Sequence, residues 1–148
     1  MPVDVLTEIE IERPRLEVAE YAADPDTATA WYENIKQVDW PEDERPLAVG
    51  SKMTFTAEFL GRKLSYTYEV REHDPGRKLV MSTADGPFPM ETTYAWEDVG
   101  AGTRMTLRNR GEPSGFSKVA GPMMAAAMRR ANRKDLARLK TILETQTA

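Results

Sequence analysis

The stretch "GPMMAAAMRRANRKDLARLKTILE", residues 121–144, decides how this chain is read. Gly-Pro is a helix-start signal, since proline suits the first helical turn. At 100° per residue, Arg129, Arg130, Arg133, Lys134, Arg138 and Lys140 fill one half of the helical wheel. Met124, Ala125, Met128, Ala131, Leu136, Leu139, Ile142 and Leu143 fill the other. A helix this amphipathic lies on something. Its apolar face changes along its length. Leucine and isoleucine at the C-terminal third pack firmly, whereas methionine adapts and alanine leaves space nearer the start.

The partner is read from the segments before it. Residues 3–12, "VDVLTEIEIE", place Ile9 and Ile11 on one face and Glu8, Glu10 and Glu12 on the other, a half-buried strand. Pro14 opens a short helix, "PRLEVAEYAAD", which Asp24-Pro25 breaks. A second short helix is expected over about 26–36, with Trp31 and Ile35 on one face, then a short strand over 36–40. After the acidic loop "PEDERPLAVG" the pattern becomes a meander. Met53, Phe55, Ala57 and Phe59 alternate, Gly61 turns the chain, and Leu64, Tyr66, Tyr68 and Val70 return. "HDPGRK" has the composition of a β-turn, and "KLVMST" is the next strand. Met90, Thr92, Tyr94 and Trp96 then share a face. After "VGAGT", Thr103, Met105, Leu107 and Asn109 alternate with Arg104, Thr106, Arg108 and Arg110.

The order is strand, two short helices, about six strands and a long helix, an α+β chain with one antiparallel sheet. The long helix must cover the aromatic, methionine- and threonine-rich face, because nothing else is large enough. Opposite its start lie Tyr66, Tyr68, Thr92, Tyr94 and Asn109, too polar-tipped for a dry core. The pattern therefore predicts a closed core near the C-terminal end of the helix and a roomier cavity near its start. The expected ligand contacts are Tyr66, Tyr68, Met81, Met90, Thr92, Tyr94, Met105 and Leu107 from the sheet, with Met124, Met128 and Asn132 from the helix. A bulge within a strand would move every later residue to the other face.

Asn132 and Asp135 also fall on the apolar half of the wheel. In one account Asp135 sits at the edge paired with a strand arginine, and Asn132 bonds a backbone group. In the other, both are polar anchors inside a pocket, where a few converging polar groups fix a ligand's orientation. The sequence leaves both open. Of the three tryptophans, Trp31 reads as a core plug, Trp96 as closing core or cavity, and Trp40 as an anchor for the following loop.

At 148 residues and no cysteine, the chain has the size of one domain (1–148) with no disulfide or thiolate chemistry. It lacks the basic and apolar segments of a secretory signal, and has no apolar run long enough to cross a bilayer. A cytoplasmic location is the expectation. Residues 118–144 carry seven basic groups against two acidic on a chain of net charge −4. Such a basic helix is expected to be a solvated face pairing with the acidic body; an acidic partner, membrane or nucleic acid is the alternative.

Catalytic motifs are sparse. His73 is the only histidine and is expected to face solvent in the "EHDPG" turn. There is no Gly-x-Ser-x-Gly elbow, no HExxH, no EF-hand spacing and no phosphate-binding glycine loop. No metal and no nucleotide cofactor is expected.

The layout resembles the START/Bet v1-like helix-grip superfamily, and within it the bacterial polyketide cyclase/dehydrase-like (SRPBCC) proteins. The resemblance rests on "IERPRLEVAEYAAD", "TAWYENI", "LAVGSKMTF", "YEVREHDPGRKL", "GAGTRMTL" and "RKDLARLKTILE", in that order over nearly the whole chain. It implies a curved sheet of six or seven strands gripping a long C-terminal helix around a hydrophobic cavity. Cyclase-like relatives use a pocket tyrosine, arginine or carboxylate on a carbonyl; here Tyr66, Tyr68, Tyr94 and Asp135 would be the candidates. The resulting expectation is a binder of a small hydrophobic or amphipathic molecule, lipid- or polyketide-like, as monomer or homodimer, without nucleic acid or membrane insertion. A cyclase or dehydratase, and an interaction module using the basic helix, are the alternatives.

Overall fold

The computed structural model describes residues 3–59, 61–85, 89–111 and 121–145. β1 (Val3–Ile11) is followed by α1 (Arg15–Ala23), a 3-10 turn at Pro25–Thr27 and α2 (Ala28–Trp31). Six strands follow: β2 (Ile35–Asp39), β3 (Lys52–Phe59), β4 (Arg62–Asp74), β5 (Lys78–Asp85), β6 (Met90–Val99) and β7 (Gly102–Gly111). The last element is α3 (Gly121–Thr145). The expected "GEPSGF" release into the helix lies outside the described residues.

The strands form one curled antiparallel sheet in the order β1-β7-β6-β5-β4-β3-β2. The first strand pairs with the last, so β1 and β2 are the two edges. The two short helices therefore run from one edge to the other, while α3 packs against β1 and α2. This is the helix-grip arrangement expected from the sequence.

Alternation holds along β6 and β7. Met90, Thr92, Tyr94 and Trp96 are buried, as are Thr103, Met105 and Leu107. The intervening arginines pair across the outer face: Arg104 with Glu97 at 2.9 Å, Arg108 with Asp4 at 2.7 Å, and Arg110 with Glu91 at 2.6 Å. Exposed pairs of this kind contribute only about 0–1 kcal/mol each; they keep that face wet and set which side turns inward. At the β4–β5 turn Gly76 has φ +82° and lies under α1. A Cβ there would sit 2.6 Å from Leu16 Cδ2, and Arg15 Nη1 donates to the Gly76 carbonyl at 2.7 Å. The positive φ is what requires glycine, since the exposed Leu16 side-chain tip can swing aside from a Cβ.

Two expectations are corrected. The second short helix ends at Trp31 rather than near residue 36. Tyr32 is already extended (φ −82°, ψ 119°), and Ile35 pairs with Ala57 across the edge of the sheet. Backbone bonding to β3, including Glu58 N–H to the Asn34 carbonyl at 2.8 Å, replaces another helical turn. His73 lies in β4, not in the turn, and is half-buried. Between Val70, opposite Met81, and Glu72, opposite Val80, the register slips by one residue at Arg71. That bulge sets His73 opposite the buried Leu79.

The interior divides into two clusters. The larger joins Trp31, Trp96, Met105, Leu107, Leu136, Leu139 and Leu143; the smaller joins Val3, Val5, Leu64, Met90 and Met124. Trp31 is a fully buried plug, as expected, and Trp96 closes the larger core. Trp40 anchors its loop, donating to the Glu44 carbonyl at 3.3 Å beneath the Arg45 guanidinium, 4.3 Å from its ring centre.

Candidate functional site

A cavity of about 170 Å³, partly open to solvent, lies where the two clusters meet. Its wall draws on the α1–α2 junction, β3 to β7 and the first half of α3. The methionine- and alanine-bearing turns of α3 provide Met124, Met128 and Ala131, while Leu136, Leu139 and Leu143 are fully buried in the closed core beyond. Of the expected contacts, Tyr66, Tyr68, Met81, Met90, Thr92, Tyr94, Met124, Met128 and Asn132 line the cavity. Met105 and Leu107 do not. Both are 0% exposed and pack in the larger core with Leu136, Leu139 and Leu143.

The polar groups are organised as a relay. Asn132 Nδ2 donates to Asn109 Oδ1 at 2.7 Å, Asn109 Nδ2 to Thr92 Oγ1 at 2.9 Å, and Thr92 Oγ1 to the Tyr68 hydroxyl at 3.4 Å. Donation along this direction leaves the Tyr68 hydroxyl hydrogen available to the cavity. Nearby, the Tyr32 and Tyr94 hydroxyls bond each other at 2.7 Å. Burial raises the pKa of all four cavity tyrosines, Tyr32, Tyr66, Tyr68 and Tyr94, so each is a neutral phenol at physiological pH.

Asp135 is the exception to this neutral lining. It is 3% exposed, and its Oδ1 accepts the Glu33 backbone N–H at 3.0 Å. Loss of water raises its pKa to about 6, only partly opposed by that bond and by Arg138 and Lys134. The edge account fails: Asp135 is buried and, among the described residues, pairs with no strand arginine, while Asn132 bonds the Asn109 side chain rather than a backbone group. The two are polar members of the cavity wall.

Sequence reasoning did not place Tyr32, Phe55, Ala57, Leu64 or the Ala22–Pro25 segment on this wall. Phe55, Ala57 and Leu64 were legible as inward-facing strand residues and lacked only a reason to sit near the helix start. Tyr32 follows a helix expected to continue through it, so its turn toward Tyr94 had no local signal. The basic face of α3 also differs from expectation. Among the described residues, Lys140 pairs with Glu144 at 2.6 Å, whereas Arg129, Arg130, Arg133, Lys134 and Arg138 make no ion pair. No group of residues with metal-binding composition occurs among those described. No described helix is long and apolar enough to cross a membrane.

A family model described as "Polyketide cyclase / dehydrase and lipid transport" matches residues 2–144. No curated protein matches by sequence. Among solved structures, a protein of Thermus thermophilus is similar with a TM-score of 0.82 at 19% identity, covering 97% of this chain and 99% of the other. A START superfamily protein of Mycobacterium smegmatis gives 0.79 at 18% identity, with coverage of 97% and 99%. The Zhui aromatase/cyclase of Streptomyces sp. R1128 gives 0.78 at 16% identity, with coverage of 97% and 94%. At such identities the likeness concerns the fold alone.

Proposed function

The chain belongs to the polyketide cyclase/dehydrase and lipid transport family, and from that premise we propose that it binds a small, largely apolar molecule in the cavity beneath the first half of α3. The observation that carries this reading is the cavity itself, apolar over most of its wall and crossed by a satisfied polar relay. A close-packed interior leaves few voids larger than a water molecule, and cavities lined by apolar groups with a few placed polar ones are how small ligands are held. The size favours one ring over a multi-ring or long-chain guest, since a cavity of about 150 Å³ accommodates benzene. Burying about 200 Å² of ring surface would supply roughly 5 kcal/mol. That barely offsets the cost of association, so the polar groups decide which ring compound stays.

The test is a titration with a fluorescent apolar probe, repeated on Met128→Trp. Wild-type binding that disappears in a folded variant supports the cavity; a wild type that takes up no probe ends this reading.

One observation favours a second reading. Asp135 titrates at about 6 on the cavity wall, near the Tyr32–Tyr94 hydroxyl pair. A carboxyl that exchanges its proton near neutrality can act as acid or base, which is the equipment of a cyclase- or dehydratase-type enzyme. Tyr66, Tyr94 and Asp135 remain its candidate residues. Turnover of a carbonyl ligand that Asp135→Asn abolishes, with binding retained, would move the chain to that class.

A further inference from the structure

We propose that the cavity selects a small organic ammonium ion carrying one ring, held by the Asp135 carboxylate among the rings of Tyr32, Phe55, Tyr66, Tyr68 and Tyr94. This rests on the cavity-binding reading above and adds the charge of the guest. Three observations converge on it.

The wall holds no compensating cation. Among the described residues lining the cavity there is no lysine, arginine or histidine, while two carboxylates, Asp24 and Asp135, are present. Asp24 is half-exposed at the helix junction, where it accepts the Asp26 N–H at 3.0 Å and water reaches it, whereas Asp135 is buried. Among the described residues Asp135 accepts one hydrogen bond, from the Glu33 N–H at Oδ1, and its second oxygen accepts none. A buried charge without a counter-charge is costly. A guest that supplied the positive charge would relieve that cost, and one carrying a second negative charge would increase it.

The groups around Asp135 cannot substitute for such a guest. From the α2 end come Tyr32, the Glu33 backbone and the Glu33 carboxylate, whose like charge adds to the cost of ionising Asp135; from β6 comes Tyr94, and from α3 itself Lys134 and Arg138. Tyr32 and Tyr94 are neutral phenols engaged with each other. Lys134 and Arg138 are exposed on the solvent side of the helix, where water screens them.

The remaining wall suits a cation rather than a merely polar molecule. Phe55 and Tyr68 stand edge to face with centroids 5.8 Å apart, and Tyr66 and Tyr68 lie 6.1 Å apart. Ring faces attract ammonium groups, more strongly when water is excluded. Asn132, one turn before Asp135, donates one of its two amide hydrogens to Asn109 and keeps its carbonyl oxygen out of that bond. The described wall therefore offers a carboxylate, a carbonyl oxygen and ring faces to a cation; what it offers an anion is neutral, the Tyr68 hydroxyl hydrogen, with the Arg62 charge acting on Tyr66 from outside the wall.

The test compares three compounds of one shape: benzylammonium, benzyl alcohol and benzoate, each titrated calorimetrically into wild type at pH 7.5. Benzylammonium is expected to bind about tenfold or more tightly than benzyl alcohol, with benzoate weakest. Because Asp135 takes up a proton below about pH 6, the ammonium-to-alcohol ratio should collapse toward one at pH 5. In Asp135→Asn the ratio should fall to about twofold or less at either pH. Equal binding of the ammonium and the alcohol by wild type at pH 7.5, or a preference for benzoate, overturns the inference while leaving the cavity reading in place. So does an ammonium preference that survives Asp135→Asn or pH 5. If none of the three binds, the cavity reading and this inference fall together. Should Asp135→Asn not fold, the order of the three compounds in wild type and its pH dependence still decide the matter.

Discussion

Asn132 on α3 donates to Asn109 on β7 at 2.7 Å, and this bond is the first link of a relay ending at Tyr68 on β4. It ties the helix to the sheet through the cavity wall rather than through the leucine core. A chain of bonds through buried amides is satisfied only while every member is present. Asn132→Ala should destabilise the fold by about 1–3 kcal/mol, because it removes the bond and leaves Asn109 Oδ1, half-buried on the cavity wall, without its partner. Asn109→Ala should cost a similar amount. The double variant should cost less than the two together, with an interaction energy of about 0.5–3 kcal/mol. Urea unfolding of the four proteins measures this; strict additivity would mean the relay carries no coupling.

The Tyr32–Tyr94 pair, beside the relay on the same face of β6, makes a parallel case. Each hydroxyl is the other's partner at 2.7 Å. Tyr32→Phe leaves the Tyr94 hydroxyl unpaired and should cost about 1–3 kcal/mol. Replacing both by phenylalanine removes the unmet need along with the bond, so the double variant should be no less stable than either single one. Thermal unfolding of the three variants checks the order.

The division of α3 into a firm half and a soft half gives a third expectation. Leu139 is 0% exposed within the larger core, so Leu139→Ala should cost about 2–5 kcal/mol by leaving a new cavity. Met128 is half-buried beside space that already exists. Met128→Ala enlarges that space and should cost distinctly less, about 1.5 kcal/mol or below. A similar loss at both positions, read from urea midpoints, would show that the start of the helix packs as tightly as its end.

Much of this was legible from the chain, for identifiable reasons. Strict alternation in β6 and β7 fixes which residues turn inward, because arginine on one side and methionine, threonine and aromatic residues on the other cannot exchange faces without cost. The change from leucine to methionine and alanine along α3 marked the roomy end. Met105 and Leu107 line closed core rather than cavity for a simple reason: alternation tells which face a residue occupies but not whether that part of the face is filled or hollow. The length of the second helix was misjudged because Trp31 and Ile35 are four apart whether or not the chain remains helical. The bulge at Arg71 that turns His73 inward has no local signature either; it is a property of pairing with β5. The partners of Asn132 and Asp135, β7 and the α2–β2 connection, are distant in sequence, which is why the residues alone left two accounts open.

Asp135 yields the prediction with the clearest sign. Its carboxyl has an ordinary pKa of 3.8 and is raised to about 6 in the folded chain by loss of water. The folded protein therefore holds this proton to higher pH than the unfolded one. Stability from this group is fully present below about pH 4, declines as the pH rises to about 6, and stays low above that. The decline is at most about 3 kcal/mol, less where the cavity admits water. Asp4, Glu17 and Glu144 have lowered values from their Arg108, Arg13, and Glu12 N–H and Lys140 partners. Their contributions run the other way, lost as the pH falls, so wild type alone does not isolate Asp135. The difference between wild type and Asp135→Asn does. Asparagine keeps an oxygen for the Glu33 N–H and carries no charge, so the variant should match wild type near pH 4 and exceed it by about 2 kcal/mol at pH 7.5. Urea unfolding of both proteins at pH 4, 5, 6 and 7.5 gives the curve. A difference that does not grow with pH would mean that the carboxylate is well solvated in the folded state. A growing difference would mean that the chain keeps, beneath α3, a charge that costs it stability, as sites kept for binding or chemistry commonly do.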